Sequence, residues 1–120
     1  MARRMPTSDA IREFWAPRLW GAKGYDSMNE FLEADYCFAC GWLEWKTERA
    51  HILARSKGGS DDVENLHLLC PTCHQDSEAL SGSEYDKWLM SRHSLDMVFS
   101  TAIRCGRLQP MVLRETVVVI

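Results

Sequence analysis

Four of the five cysteines fall in two CxxC pairs, Cys37/Cys40 and Cys70/Cys73. A CxxC turn sets two thiolates along one edge of a tetrahedron, and two such turns complete the coordination of a zinc ion. The four sulfurs fill every position, so the spacing predicts a closed, structural zinc with no coordination site left for substrate. Other readings of single pairs fail on context. Cys70-Pro-Thr-Cys73-His74 spells a c-type haem attachment string, which would leave the upstream pair unexplained. A thioredoxin-like redox pair needs a βαβ pattern that the chain does not display. A C2H2 finger needs histidines three to five residues apart, whereas His51 and His67 have 15 residues between them.

The two knuckles are far apart. Positions 41–69 make a gap of 29 residues, where ordinary four-cysteine modules use about 15–20. Within the gap lie His51, a loop with Gly58-Gly59, and Asn65; His74 follows the last cysteine directly. Three polar side chains are thus attached to a metal-stapled frame.

The combined string Cys37-x2-Cys40, Ala50-His51-Ile52, Gly58-Gly59, Asn65-Leu66-His67-Leu68-Leu69-Cys70-x2-Cys73-His74 resembles the HNH endonuclease family. The resemblance covers residues 36–80 and implies an α+β fold: a small ββα-metal core stapled by a structural zinc, with flanking helices. It also implies DNA as the partner and phosphodiester hydrolysis as the reaction. His51 matches the family's first histidine and would be the general base. Its unperturbed pKa near 6.5 leaves the ring neutral and basic at pH 7, and its other nitrogen should donate to a backbone carbonyl. His74 matches the last histidine, a ligand of a catalytic divalent metal such as Mg2+, Mn2+, Ni2+ or Zn2+ that serves as Lewis acid and leaving-group clamp. Asn65, the middle residue of the motif, either ties the loop to the strands or ligates that metal. Glu78 lies one helical turn beyond His74, as a further ligand or a solvated surface carboxylate. The chain departs from the pattern at Ala50, where many members carry a metal-binding Asp, Glu or His. Glu48 would have to reach the site from a displaced position; otherwise the metal is held by His74, Asn65, Glu78 and water, or the chain is a weak or inactive relative. The alternative function is a noncatalytic zinc module binding nucleic acid or protein.

Ser8 should cap a short helix with Ile11, Phe14 and Trp15 on one face, ended by Pro17. Ser27-Met-Asn-Glu30 is a capping box ahead of Met28, Phe31 and Leu32. Residues 50–54 and 65–69 read as two short strands around a turn-rich loop. His67 alternates with Leu66 and Leu68 and should face away from them, in a structural or surface role. A helix should start at Pro71 and stop near Gly82, followed by helices over 83–91 and 94–105. Cys105, in an apolar stretch with Ala102 and Ile103, is expected to be a buried thiol. The β-branched tail from Met111 to Ile120 suggests an edge or interface strand, and with it a homodimer.

Length and composition bound the rest. One domain is expected over 1–120, with 46% apolar and 26% charged residues. A net charge of −3 lacks the excess of Lys and Arg usual in a protein that coats nucleic acid nonspecifically. Any phosphate contact must then be local; Arg49, Arg55 and Lys57, which flank His51, are either a local positive surface or a merely solvated face. No run of 18 apolar residues exists to span a membrane. The basic start without an apolar core, and the paired thiols, lead to the expectation of a reducing, cytoplasmic setting.

Overall fold

The computed structural model describes residues 4–43 and 45–106, and the backbone of 110–113 and 116–119. The first helix, α1 (Ser8–Leu19), is capped by Thr7 rather than Ser8: the Thr7 hydroxyl accepts from the Ala10 N–H at 3.1 Å. It also runs through Pro17, which sequence reading made its end. Pro17 lies in the last turn, so its missing N–H removes only one helical bond. Arg18 Nη1 donates to the Phe14 carbonyl at 2.9 Å, and buried Ala16 and Leu19 hold the turn against the core. In α2 (Met28–Leu32) Ser27 caps Glu30 as expected, while the Glu30 carboxylate accepts from Asp26 N–H at 2.7 Å, one residue before the cap.

Arg12 fastens α1 to the rest. It is buried, pairs with Asp35 and donates to the Tyr36 carbonyl at 3.0 Å. The same Asp35 accepts from Thr47 N–H at 2.9 Å. One carboxylate therefore joins the segment before the first knuckle to the entry of β1 (Glu48–His51). That strand pairs antiparallel with β2 (Leu66–Leu69), with Ala50 opposite His67 and His51 opposite Leu66. The first knuckle joins the same sheet edge, since Phe38 N–H donates to the Leu68 carbonyl at 2.8 Å.

After β2 come α3 (Pro71–Ser77), α4 (Gly82–Ser91) and α5 (Ser94–Arg104). Gly82 does not stop α3, which ends at Ser77, five residues earlier; at φ +56° Gly82 instead opens α4. Asp76 on α3 holds α5 and the end of α4 through Arg92, Arg104 and Ser100. Cys105 is exposed, not buried, because the apolar face of α5 that contacts the core is centred on Met97. The tail is not one strand: β3 (Pro110–Leu113) and β4 (Thr116–Val119) pair with each other as a hairpin. The side chains on which an interface would rest lie outside the described residues. Among the described residues no helix is long and apolar enough to cross a membrane.

All four residues of β2 are buried, including His67. Alternation predicts one polar face, but this strand is covered on both. Trp15 packs edge-on to the His67 ring at 4.5 Å, and Tyr85 stacks on it at 5.7 Å with its hydroxyl 2.6 Å from Nδ1. Burial disfavours the charged ring and holds its pKa down to about 4. The unfolded chain, with an ordinary histidine pKa near 6.5, binds the proton more readily, so stability is full above about pH 6.5 and falls toward pH 4. At pH 5 this amounts to about 2 kcal/mol. Denaturant titrations at pH 7 and pH 5 should show the His67→Gln variant losing less stability than the parent by that amount; equal losses would refute a neutral buried ring.

Candidate active site and metal centre

The four cysteines converge as their spacing predicts. All four are buried and their Sγ atoms lie within 4.8 Å of one another. Cys40 and Cys70 are 3.9 Å apart, against an edge of about 3.8 Å for a tetrahedron with zinc–sulfur bonds near 2.3 Å. The cluster is able to hold a metal ion. Gly41, at φ +77°, lets the first knuckle turn back so that its N–H donates to the Cys37 carbonyl at 3.0 Å. In the second, Cys70 caps α3 and Pro71 starts it, placing Cys73 in the first turn. Hydrogen bonds from the other three sulfurs push the Cys37 thiol far down, while Cys40 and Cys73 are pushed up. Two cations flank the cluster. Lys23 donates to the Leu89 carbonyl at 2.7 Å; burial lowers its pKa, and the cysteines oppose that shift. For Arg92 burial works against the charge, but Cys73 and Asp76 outweigh it and the net shift is upward. A divalent ion with four thiolates carries two net negative charges, which these side chains are placed to offset.

A cleft of about 260 Å³ opens between the end of β1 and α3; His51, His74, Glu78, Arg55, Lys57 and Ser81 are on its wall. His51 Nε2 lies 2.7 Å from Asp61 Oδ1. A carboxylate only accepts, so Nε2 carries the proton and Nδ1 is the basic nitrogen of the neutral ring. Sequence reading placed a backbone carbonyl in this role. Arg55 Nε stands 3.9 Å from the same oxygen.

The Asn65 side chain is engaged in the loop: Oδ1 accepts from Leu53 N–H at 2.9 Å, and Nδ2 donates to the carbonyls of Leu53 at 3.0 Å and Ser60 at 2.7 Å. His74 Nδ1 lies 2.8 Å from Glu48 Oε1. Glu78 is exposed on the cleft wall, and Ala50 is buried. Among the described residues the cysteines are the one group of three or more ligating side chains already drawn together. His51, His74 and Glu78 share a cleft; Asn65 sits in the loop behind it. Asp61 went unnoticed in the sequence because acidic residues are common in turn-rich loops. Lys23 and Arg92 gave no signal either, since only tertiary packing brings them to the sulfurs.

Residues 37–79 match the HNH endonuclease family model. A stretch of 43 residues is 40% identical to anaredoxin of Nostoc sp., covering 36% of this chain and 57% of that protein. The chain thus matches a little over half the length of this curated relative. No solved structure matches. Over this segment, with its ββα core and four-cysteine cluster, the chain is similar to the HNH endonuclease family.

Proposed function

We propose that the chain is a metal-dependent DNA endonuclease in which the four cysteines hold a structural zinc and His51 is the general base. The observation that carries this is the shared cleft. His51, held by Asp61, and His74, at the first turn of α3, face one opening together with Glu78. An imidazole and a carboxylate are donors that suit Mg2+, Mn2+, Ni2+ or Zn2+, so the residues present fit a divalent ion. His74 and Glu78 would hold it, with its other positions left to water and phosphate. Asn65 serves as the tie of the loop, its side chain being committed to three hydrogen bonds there.

When bound, such an ion would supply Lewis acidity for phosphodiester hydrolysis. The chain itself does the proton work. His51 takes a proton from water through Nδ1, and Asp61 keeps the ring in that tautomer and stabilises the imidazolium that forms. Arg55 and Lys57 on the cleft wall give the local positive surface that the net charge of −3 lacks. A reducing compartment is the setting such thiolates require.

The test is incubation of the zinc-loaded chain with supercoiled plasmid and each of Mg2+, Mn2+, Ni2+ and Zn2+, beside His51→Ala. The parent should nick in a metal-dependent way, and the variant should be about 10²–10⁴-fold slower. Equal background in both would overturn the enzyme reading in favour of a noncatalytic binding module.

A further inference from the structure

We infer that Glu48 is a positioning residue for His74: it accepts the Nδ1 proton and fixes the tautomer whose Nε2 is free to bind an ion in the cleft. Two side chains on one strand face alternate at a spacing of about 6.6–6.8 Å. Glu48 and Ala50 are such a pair, and Ala50 is a short, buried side chain that offers no oxygen. Glu48, one repeat earlier, is long enough to reach α3, and its Oε1 lies 2.8 Å from His74 Nδ1.

The side from which it approaches decides its role. Glu48 lines a neighbouring groove with Trp45, Lys46, Thr47, Pro71 and Thr72, whereas His74 lines the cleft that holds His51 and Glu78. The carboxylate therefore meets the ring at its Nδ1 edge and is not one of the residues that line the cleft. A ligating histidine commonly donates its second N–H to a carboxylate, which sets its orientation and raises its basicity. The backbone beneath the ring is fixed as well: His74 N–H donates to the carbonyl of Cys70 at 2.8 Å, within the second knuckle. The proposed catalytic reading gives the cleft its purpose, but the tautomer follows from this geometry alone.

A free histidine in water favours the opposite tautomer, with the proton on Nε2, so the claim has a direct spectroscopic readout. The zinc-loaded full chain, with ¹⁵N-labelled histidine and at a pH where the ring is neutral, is studied by two-bond ¹H–¹⁵N correlation. The His74 signals are assigned by their loss in His74→Asn. The parent should show a protonated Nδ1 and an unprotonated Nε2. Glu48→Ala should move the ring toward the Nε2–H form, while Glu48→Gln, whose amide oxygen still accepts, should restore the parent pattern. An Nε2–H ring in the parent, or no change in Glu48→Ala, would overturn the assignment. Mn2+ titration should show affinity about 10–100-fold weaker in Glu48→Ala; unchanged affinity would overturn the role toward the ion. Neither readout needs DNA cleavage, so failure of the nuclease reading and failure of this one are separable.

Discussion

Stripping the ion from the four-cysteine cluster is expected to unfold the chain, not merely to fray its knuckles. A chain of 120 residues is expected to have a net stability of about 6–18 kcal/mol, and structural zinc in small peptides is worth about 10–16 kcal/mol. The two are of the same size, so little stability is left without the metal. The cluster is also placed where its loss spreads. Cys37, Cys40, Cys70 and Cys73 share one buried core with Phe31, Phe38, Leu66 and Leu69. The first knuckle is bonded to β2 through Phe38, and to α5 through the Ser94 hydroxyl, which donates to the Cys40 carbonyl at 2.8 Å. The second knuckle is the start of α3. Without a cation between them, four close sulfurs cannot all carry charge, so the apo core must bury protonated thiols in a cavity shaped for an ion. A strong chelator should therefore abolish the cooperative thermal transition seen by circular dichroism, and Cys73→Ser should do the same with zinc present. Metal analysis of the parent should give about one zinc per chain. A chelated protein that melts cooperatively at the parent temperature would show that apolar packing alone holds the fold.

What could be read from the sequence divides along the range of the forces involved. The cysteine cluster was legible because a CxxC turn is local, and ligand count then forces the two halves together. The paired strands were legible from short apolar runs around a turn-rich loop, although β1 ends at His51 and not at Ala54. For His67 a structural or surface role was legible but the choice between them was not, because the covering of β2 on both faces depends on Trp15 and Tyr85, which lie 52 residues before and 18 after it. Gly82 carries the same ambiguity at shorter range: a residue at positive φ serves a helix end or the turn before a start, and only the packing of Tyr85 and Leu89 decides. Glu48 was within reach, since strand alternation puts it on the face of Ala50. The partner it finds, His74, lies across a strand-to-helix connection whose geometry no pattern of apolar residues encodes.

The loop between the strands is where a single methyl group should separate activity from folding. A Cβ built on Gly59 would lie 1.7 Å from the Leu53 carbonyl oxygen, 2.6 Å from its carbon and 2.9 Å from Asn65 Nδ2. Two of these are backbone atoms and cannot step aside. In Gly59→Ala the loop must move outward by more than an ångström, which strains the Gly59 N–H bond to the Ala54 carbonyl and the paired bonds between Asn65 and Leu53. Asp61 is two residues further on the same loop, so its 2.7 Å contact with His51 moves too. Overpacking of this kind costs about 1–3 kcal/mol, less than the net stability of about 6–18 kcal/mol expected for a chain of this length. A misplacement near 1 Å can cost about 10²-fold in rate. Gly58→Ala is the natural control, because its Cβ meets nothing within 4 Å and the substitution carries only the strain of a φ of +91°, about 1–2 kcal/mol. Both variants should remain folded in chemical denaturation with comparable losses. Only Gly59→Ala should lose plasmid nicking, by about 10²-fold, because only there is the carboxylate that holds the proposed base displaced. Nicking by Gly59→Ala at the rate of Gly58→Ala would mean that His51 does not depend on Asp61, and that the loop shapes the fold without directing the chemistry.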